Sequence, residues 1–178
     1  MKNKTDYIQH LSLSPHPEGG YYKETYRSDE SYPTTRGTRS ASTGIYFLLG
    51  WDDLSTFHVI KSDEMWHHYD GCTLEIHEIT STGAYKVTYL GKDLSQGEVP
   101  QYVVAKGHIF GSKISRKRES NGIAKQNPTS PNYVLVGCTV APGFDFHDFK
   151  LINRDTLINS FPKIRNQIIS FFDLSDSI

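Results

Sequence analysis

A chain of 178 residues with a formal net charge of −1 and a pI near 6.7 has no charge excess of the kind that nucleic acid or an acidic membrane surface attracts. Its longest unbroken apolar run, Ile45 to Leu49, is far short of the roughly 20 residues that span a bilayer, and the start MKNKTDYIQH has no apolar signal-peptide core. Two cysteines, Cys72 and Cys138, do not make a disulfide framework, so the expectation is one cytoplasmic domain over 1–178 with free thiols and a sizeable core.

In chain order, residues 5–11 read as a short helix with Thr5 as N-cap. Pro15 and Pro17 end it, and Gly19-Gly20 turn the chain. Short β-prone runs follow at 21–27, 43–49, 56–61, 64–69, 73–80, 85–90, 101–105, 109–114, 133–140 and 144–152. Turn formers separate most of them, among them Asp52-Asp53, Asp70-Gly71, Thr82-Gly83, Lys106-Gly107 and Pro142-Gly143. Eleven Tyr and nine Phe suit strands, and many short strands with regular turns predict an all-β sandwich or barrel over about 20–152. The period then changes. Leu157, Phe161, Ile164, Ile168 and Phe171 recur at three- and four-residue steps, which predicts an amphipathic helix over about 160–172, capped by Ser160 with Pro162 in its first turn.

The segment 112–132 departs from this order. It carries Lys113, Arg116, Lys117, Arg118 and Lys125, then two X-Pro steps, and reads as a polar excursion between strands. It is either a solvated loop or a basic lid that contacts an anion. No aromatic residue lies in its basic part, which argues against stacking on single-stranded nucleic acid.

Chemistry concentrates in one stretch, HVIKSDEMWHHYDG, which sets His58, Glu64, His67 and His68 within eleven positions. Imidazoles and a carboxylate from neighbouring strands bind a metal or move protons. Strand alternation puts Glu64, Trp66 and His68 on one face and Met65, His67 and Tyr69 on the other. An inward Glu64 therefore favours His68 over His67, but a bulge reverses that, and both stay as candidates. His77, beside Glu75 and Glu78, reads as exposed. His108 and His147 read as surface or loop, and His16 as shaping a turn. Glu18 precedes the paired glycines, which let backbone approach another element closely. It either hydrogen-bonds a ligand hydroxyl or holds a tight turn as a buried acid.

Four blocks carry a resemblance: HPEGGYYKETYRS at 16–28, SDEMWHHYDG at 62–71, LGKDLSQGEVPQYVVAKG at 90–107 and LVGCTVAPGFDFHDF at 135–149. Their order resembles the cupin superfamily, and within it the DUF985 family described as a predicted sugar epimerase. The resemblance implies a double-stranded β-helix, or jelly-roll barrel, with short N- and C-terminal helices, a pocket inside, and association as a homodimer.

Laid on the general cupin pattern, His58 matches the first histidine of the first motif, Glu64 its glutamate and Gly71 its glycine, while Ile60 stands in place of the second histidine. In the second motif Ala105, Gly107 and Phe110 stand for Pro, Gly and His. His58 and Glu64 remain from the usual ligand set, with His67 or His68 as a further ligand. Such nitrogen and oxygen donors suit zinc, iron, manganese or nickel. The resemblance also implies that Glu18 and Tyr21 border the pocket. Arg27 would pair with a ligand anion or with Asp145. Tyr46, Trp66, Phe110 and Phe144 would supply apolar walls for a sugar or base ring. An epimerase would use His58 with Glu64 or Asp145 as base, and Tyr46 or Tyr133 as acid, on a small polar metabolite such as a carbohydrate or nucleotide-sugar. A metal-dependent cupin enzyme, and a binding module without turnover, are the alternatives.

Overall fold

The computed structural model describes residues 3–116 and 131–174. Helix α1 spans Lys4–Leu11 and begins one residue before the expected start, because Asn3 and not Thr5 caps it. The Asn3 side chain accepts from the Asp6 N–H and the Asp6 carboxylate accepts from the Asn3 N–H, both at 3.0 Å, a reciprocal capping box. The strands are β1 (Ser14–Pro15), β2 (Tyr21–Arg27), β3 (Ser31–Thr34), β4 (Gly37–Ser40), β5 (Thr43–Gly50), β6 (Leu54–Val59), β7 (Asp63–Gly71), β8 (Leu74–Ile79), β9 (Tyr85–Leu90), β10 (Gln101–Val104), β11 (Ile109–Ile114), β12 (Tyr133–Ala141) and β13 (Lys150–Leu151). Helices α2 (Arg154–Ser160) and α3 (Arg165–Phe172) follow.

The strands form two antiparallel sheets, ordered β1-β2-β5-β12-β7-β10 and β13-β6-β11-β8-β9, with β3 and β4 as a separate hairpin. Partners distant in sequence lie side by side, as β5 with β12 and β6 with β11, which is the jelly-roll arrangement the motif order implied. Alternation along each strand fills the interior. Phe47 and Leu49, Trp66, Leu74 and Ile76, Phe110, Val134 and Val136 all meet inside. Parts of the outer faces are covered too. Leu48, Tyr133 and Leu135 lie beneath α1, and Phe57 and Ile79 beneath Leu157, Ile168 and Phe171 of the C-terminal helices. Among the described residues no helix is long and apolar enough to cross a membrane.

Several expected elements differ. Residues 144–152 are not a strand. A 3-10 turn occupies Phe146–Asp148 and only Lys150–Leu151 pairs, with β6. The Asp145 side chain accepts from the His147 N–H at 2.9 Å, which favours the turn over a ladder. The single helix expected over 160–172 is split. Asn153 caps α2, and Pro162, which has no N–H to continue the ladder, begins a short 3-10 turn before α3.

Residues 117–130 of the basic segment lie outside the described residues. At its start, Lys113 lies in β11 and donates to Ser170 O and Phe171 O at 2.9 and 3.1 Å, at the end of α3. His77 is buried, not exposed, because α3 covers the outer face of β8. It pairs with Tyr85 Oη at 2.7 Å and with Glu75 Oε2 at 3.0 Å, and its ring contacts Phe171.

Candidate functional site

A cavity of about 570 Å³ lies inside the barrel, walled by β2, β5, β6, β7 and β12 and bordered by the loop after β12. Its polar floor depends on two glycines. Gly19 and Gly20 both have positive φ, and a Cβ at Gly19 would sit 1.9 Å from Leu54 O, one at Gly20 2.7 Å from Leu48 O. The chain therefore passes directly against β6 and β5, where the Thr56 N–H donates to Glu18 O at 2.8 Å. That contact turns the Glu18 side chain into the barrel.

There the Ser55 hydroxyl donates to Glu18 Oε1 at 2.8 Å, and Glu18 Oε2 lies 3.2 Å from His58 Nε2. His58 Nδ1 donates to Thr56 O at 2.7 Å, and since a carbonyl only accepts, Nδ1 carries a proton. The Glu18–His58 contact therefore needs one further proton, held by the carboxyl or by Nε2. Burial decides the balance. It pushes Glu18 up from 4.5 to about 8, against the Ser55 hydrogen bond, and pushes His58 down, against the nearby Glu64 charge.

His16 stands beside this pair, with Nδ1 3.6 Å from Glu18 Oε2. Burial first, then the charge of His58, lowers it to about 4. Glu64, buried on β7, faces the same space. Burial raises it to about 7, opposed by His58, helped by Glu18 and opposed again, more weakly, by the Cys138 thiol. Burial and the adjacent carboxylates hold the Cys138 thiol well above its usual range, so it stays protonated.

The rim is ordered by ion pairs. Arg27 donates to both oxygens of Glu24, at 2.9 and 2.7 Å, and to Phe144 O at 3.2 Å. The loop from Phe144 to Phe149 is tied to the β3–β4 hairpin through Asp148, which accepts from Arg39 Nε and Arg36 at 2.9 Å each and from a second Arg39 nitrogen at 3.1 Å. Asp145 accepts from His147 Nδ1 at 2.7 Å.

Of the residues singled out from sequence, His58, Glu64, Glu18, Arg27, Phe144 and Asp145 line the cavity. Asp145 does not partner His58, since Glu18 holds that place, and Arg27 is bonded to Glu24, not to Asp145. Trp66 and Phe110 sit in packed core. The Phe110 ring lies 4.1 Å from His58 and 6.3 Å from Trp66.

Tyr21, Tyr46 and Tyr133 lie on the outer face of the six-stranded sheet with α1, where the Tyr133 hydroxyl donates to Asp70 at 3.0 Å. Ile45 and Phe47 point inward, so pleating sends Tyr46 out. His67 is on the outer face with Thr139 Oγ1 at 3.0 Å. His68 is buried, as alternation favoured, but donates to Cys72 O at 2.9 Å and stands four residues from Glu64, about 13 Å along the strand. Neither histidine joins His58 and Glu64.

A metal centre does not fit this donor set. Where the general pattern places two further histidines stand Ile60 and Phe110, both buried and apolar, and among the described residues no three His, Cys, Asp or Glu side chains are arranged to hold an ion. Sequence reasoning missed His16, Tyr22 and Cys138 as lining residues. The signal for Cys138 was present, since it alternates in phase with Val136 and Val140.

Comparison with known proteins agrees with the fold. The family model described as "Cupin superfamily (DUF985)" matches residues 5–152. An uncharacterized protein of Saccharomyces cerevisiae, YML079W, is 31% identical over 160 residues, covering 83% of this chain and 74% of that protein. A solved structure of a hypothetical protein from Leishmania major has 33% identity and a TM-score of 0.83, covering 95% of this chain and 98% of that one. The structure of protein SO0799 from Shewanella oneidensis has 36% identity and a TM-score of 0.81, covering 97% and 99%.

Proposed function

The chain belongs to the DUF985 family of the cupin superfamily, and within that fold we propose that the barrel cavity is an acid–base site acting on a small polar metabolite, with the Glu18–His58 pair as the proton carrier. One observation carries the reading. The two groups meet at 3.2 Å inside a cavity of about 570 Å³, with Nδ1 of His58 already committed to Thr56 O. Fixing one ring nitrogen leaves the other to gain or lose a proton, the arrangement a general base or acid needs. A carboxyl raised to about 8 beside an imidazole lowered by burial puts the shared proton on Glu18 at neutral pH and leaves the His58 imidazole uncharged, able to accept a proton.

The reaction class that fits is abstraction of a proton from carbon next to a carbonyl and its return, as in epimerisation or isomerisation of a sugar. The pair takes the proton as the C–H bond breaks and the electron pair moves onto the carbonyl oxygen. In an isomerisation it gives the proton back to the neighbouring carbon as the new C–H bond forms, so nothing is consumed; an epimerisation needs a second group, such as Tyr22, to deliver a proton to the opposite face. Phe144, Phe146 and Phe149 at the rim offer faces for a ring. Tyr46 and Tyr133 cannot serve as the acid from the outer face, and Tyr22 is the tyrosine that borders the cavity.

The test is proton exchange. Protein incubated in D₂O with a pool of small carbonyl metabolites should wash one deuteron into a member of the pool, read as a mass gain of one, and His58→Gln should abolish it with the fold intact. A pool unchanged by wild-type protein would sink the enzymatic reading. If a metabolite is then retained in a His58-dependent way without exchange, the cavity is a binding module instead.

A further inference from the structure

We propose that the ligand of this cavity carries a protonated amine, seated against Glu64, with its carbon skeleton along the rings of Phe146, Phe149 and Tyr22. The proposal rests on the cavity being the ligand site, as above, and adds the chemical class of what enters it.

The acids of the cavity are unequally matched. Four lining side chains are carboxyls, Glu18, Glu24, Glu64 and Asp145, and among the described lining residues Arg27 is the one permanent cation. Arg27 is already engaged by both oxygens of Glu24. Asp145 has His147 at 2.7 Å and Arg39 at 3.9 Å. Glu18 has Ser55 and His58. Glu64 is left. It is more than nine-tenths buried, it borders the cavity, and beside it stand His58, whose charged form burial disfavours, and the Cys138 thiol, a weak donor. An ionised carboxylate in that position lacks both a permanent cation and strong donors, and a ligand ammonium supplies both, with three N–H groups and a full charge.

The walls agree with a cationic guest. Phe146 is half exposed, Phe144 and Phe149 pack edge-on against it with centroids at 5.0 and 6.1 Å, and Tyr22 closes on His16 at 4.6 Å. Aromatic faces carry negative charge density and attract cations. The imidazole beside them is held neutral by burial and does not compete. An anionic ligand would instead meet Glu64 and Glu18 with no free cation among the described lining residues to offset them.

A matched series tests this on the full chain: phenethylamine, 2-phenylethanol and 3-phenylpropionate, which share a ring and differ in the end group. Binding is followed by amide shifts in ¹⁵N–¹H spectra and by calorimetry in two buffers of different ionisation heat. Phenethylamine should bind tightest, by roughly tenfold over the alcohol, and Glu64→Gln should remove that preference. Its binding to wild-type protein should also release protons as the ammonium draws Glu64 into its ionised form, a readout that does not depend on the variant folding. Equal or tighter binding of the alcohol or the acid overturns the proposal. So does a preference that survives Glu64→Gln, or no shift with any of the three. If the alcohol binds and His58-dependent exchange in D₂O persists, the ammonium seat is wrong and the acid–base site stands. If the amine binds without any exchange, the ammonium seat stands and the acid–base reaction falls.

Discussion

Replacing Glu64 by Gln removes one titrating proton from the cavity while keeping its shape, and the structure sets both the sign and the size of the effect on stability. Burial raises the Glu64 carboxyl from its ordinary 4.5 to about 7. As pH rises past 4.5 the unfolded chain releases this proton while the folded chain still holds it. The folded state then binds more protons, so stability falls as pH climbs from 4.5 to about 7 and levels off above. At about 1.4 kcal/mol per pH unit, the displacement amounts to about 3 kcal/mol. Glu64→Gln does not titrate and escapes that loss. Wild type and variant should therefore be of similar stability near pH 5, and the variant should gain about 3 kcal/mol by about pH 8. For a domain of this size that is roughly 6–12 °C in Tm. Urea unfolding of both proteins at matched pH values gives the difference directly and cancels the titration of groups they share. Curves that stay parallel from about pH 5 to about pH 8 would refute the claim that Glu64 is buried without a compensating cation.

Gly19→Ala places a methyl group 1.9 Å from Leu54 O at a positive φ, so it should cost about 2 kcal/mol or more in urea unfolding and displace Glu18; an unchanged midpoint would mean that the close approach is not rigid. Asp148→Asn should loosen the rim by weakening its bonds to Arg36 and Arg39, seen as faster amide exchange over 142–149 with β5 and β12 unaffected; equal exchange would show that the hairpin does not anchor the loop. Tyr133→Phe should cost about 1 kcal/mol through its lost bond to Asp70 and leave deuterium wash-in untouched, whereas lost exchange would restore a catalytic role to this tyrosine. We also expect two copies to associate, with Tyr69 and Val103 exposed on the outer face of neighbouring strands. Light scattering should then give a mass of about 40 kDa, twice that of one chain, and a value near 20 kDa would refute the dimer.

Periodicity and turn chemistry are enough to read most of the strands, because each is a local pattern of alternating side chains closed by Gly, Pro or Asp, but they miss the short β1 and the β3–β4 hairpin and give a strand over 144–152 that does not form. The same local rule ranks His68 above His67 as the inward residue, since a pleat reverses direction at every position. It does not say which face of a strand meets the cavity when both faces are apolar. On β5 and β12 one face fills the barrel and the other lies under α1, so hydrophobicity along the strand does not distinguish inside from outside. Tyr46 and Tyr133, which the sequence offers as candidate acids, therefore turn out to face α1, while Ile45 and Phe47 beside Tyr46 point inward.

The spacing of His58, Ile60, Glu64 and Phe110 is legible in the sequence, and with it the apolar character of two positions where the general pattern has histidines. The partner of His58 is not. Glu18 is remote from it in the chain and reaches the imidazole because Gly19 and Gly20 let the backbone press against β6 and β5, a contact between elements that no local period encodes. The burial of His77 escapes sequence reasoning for the same reason, since the helix that covers it comes from the far end of the chain. Residue types and their intervals specify what one strand presents on each face. Which strands become neighbours, and how dry the space between them is, belongs to the folded barrel. Those two properties set the proton affinities of Glu18, His58 and Glu64, because the cost of burying a charge depends on everything that surrounds it.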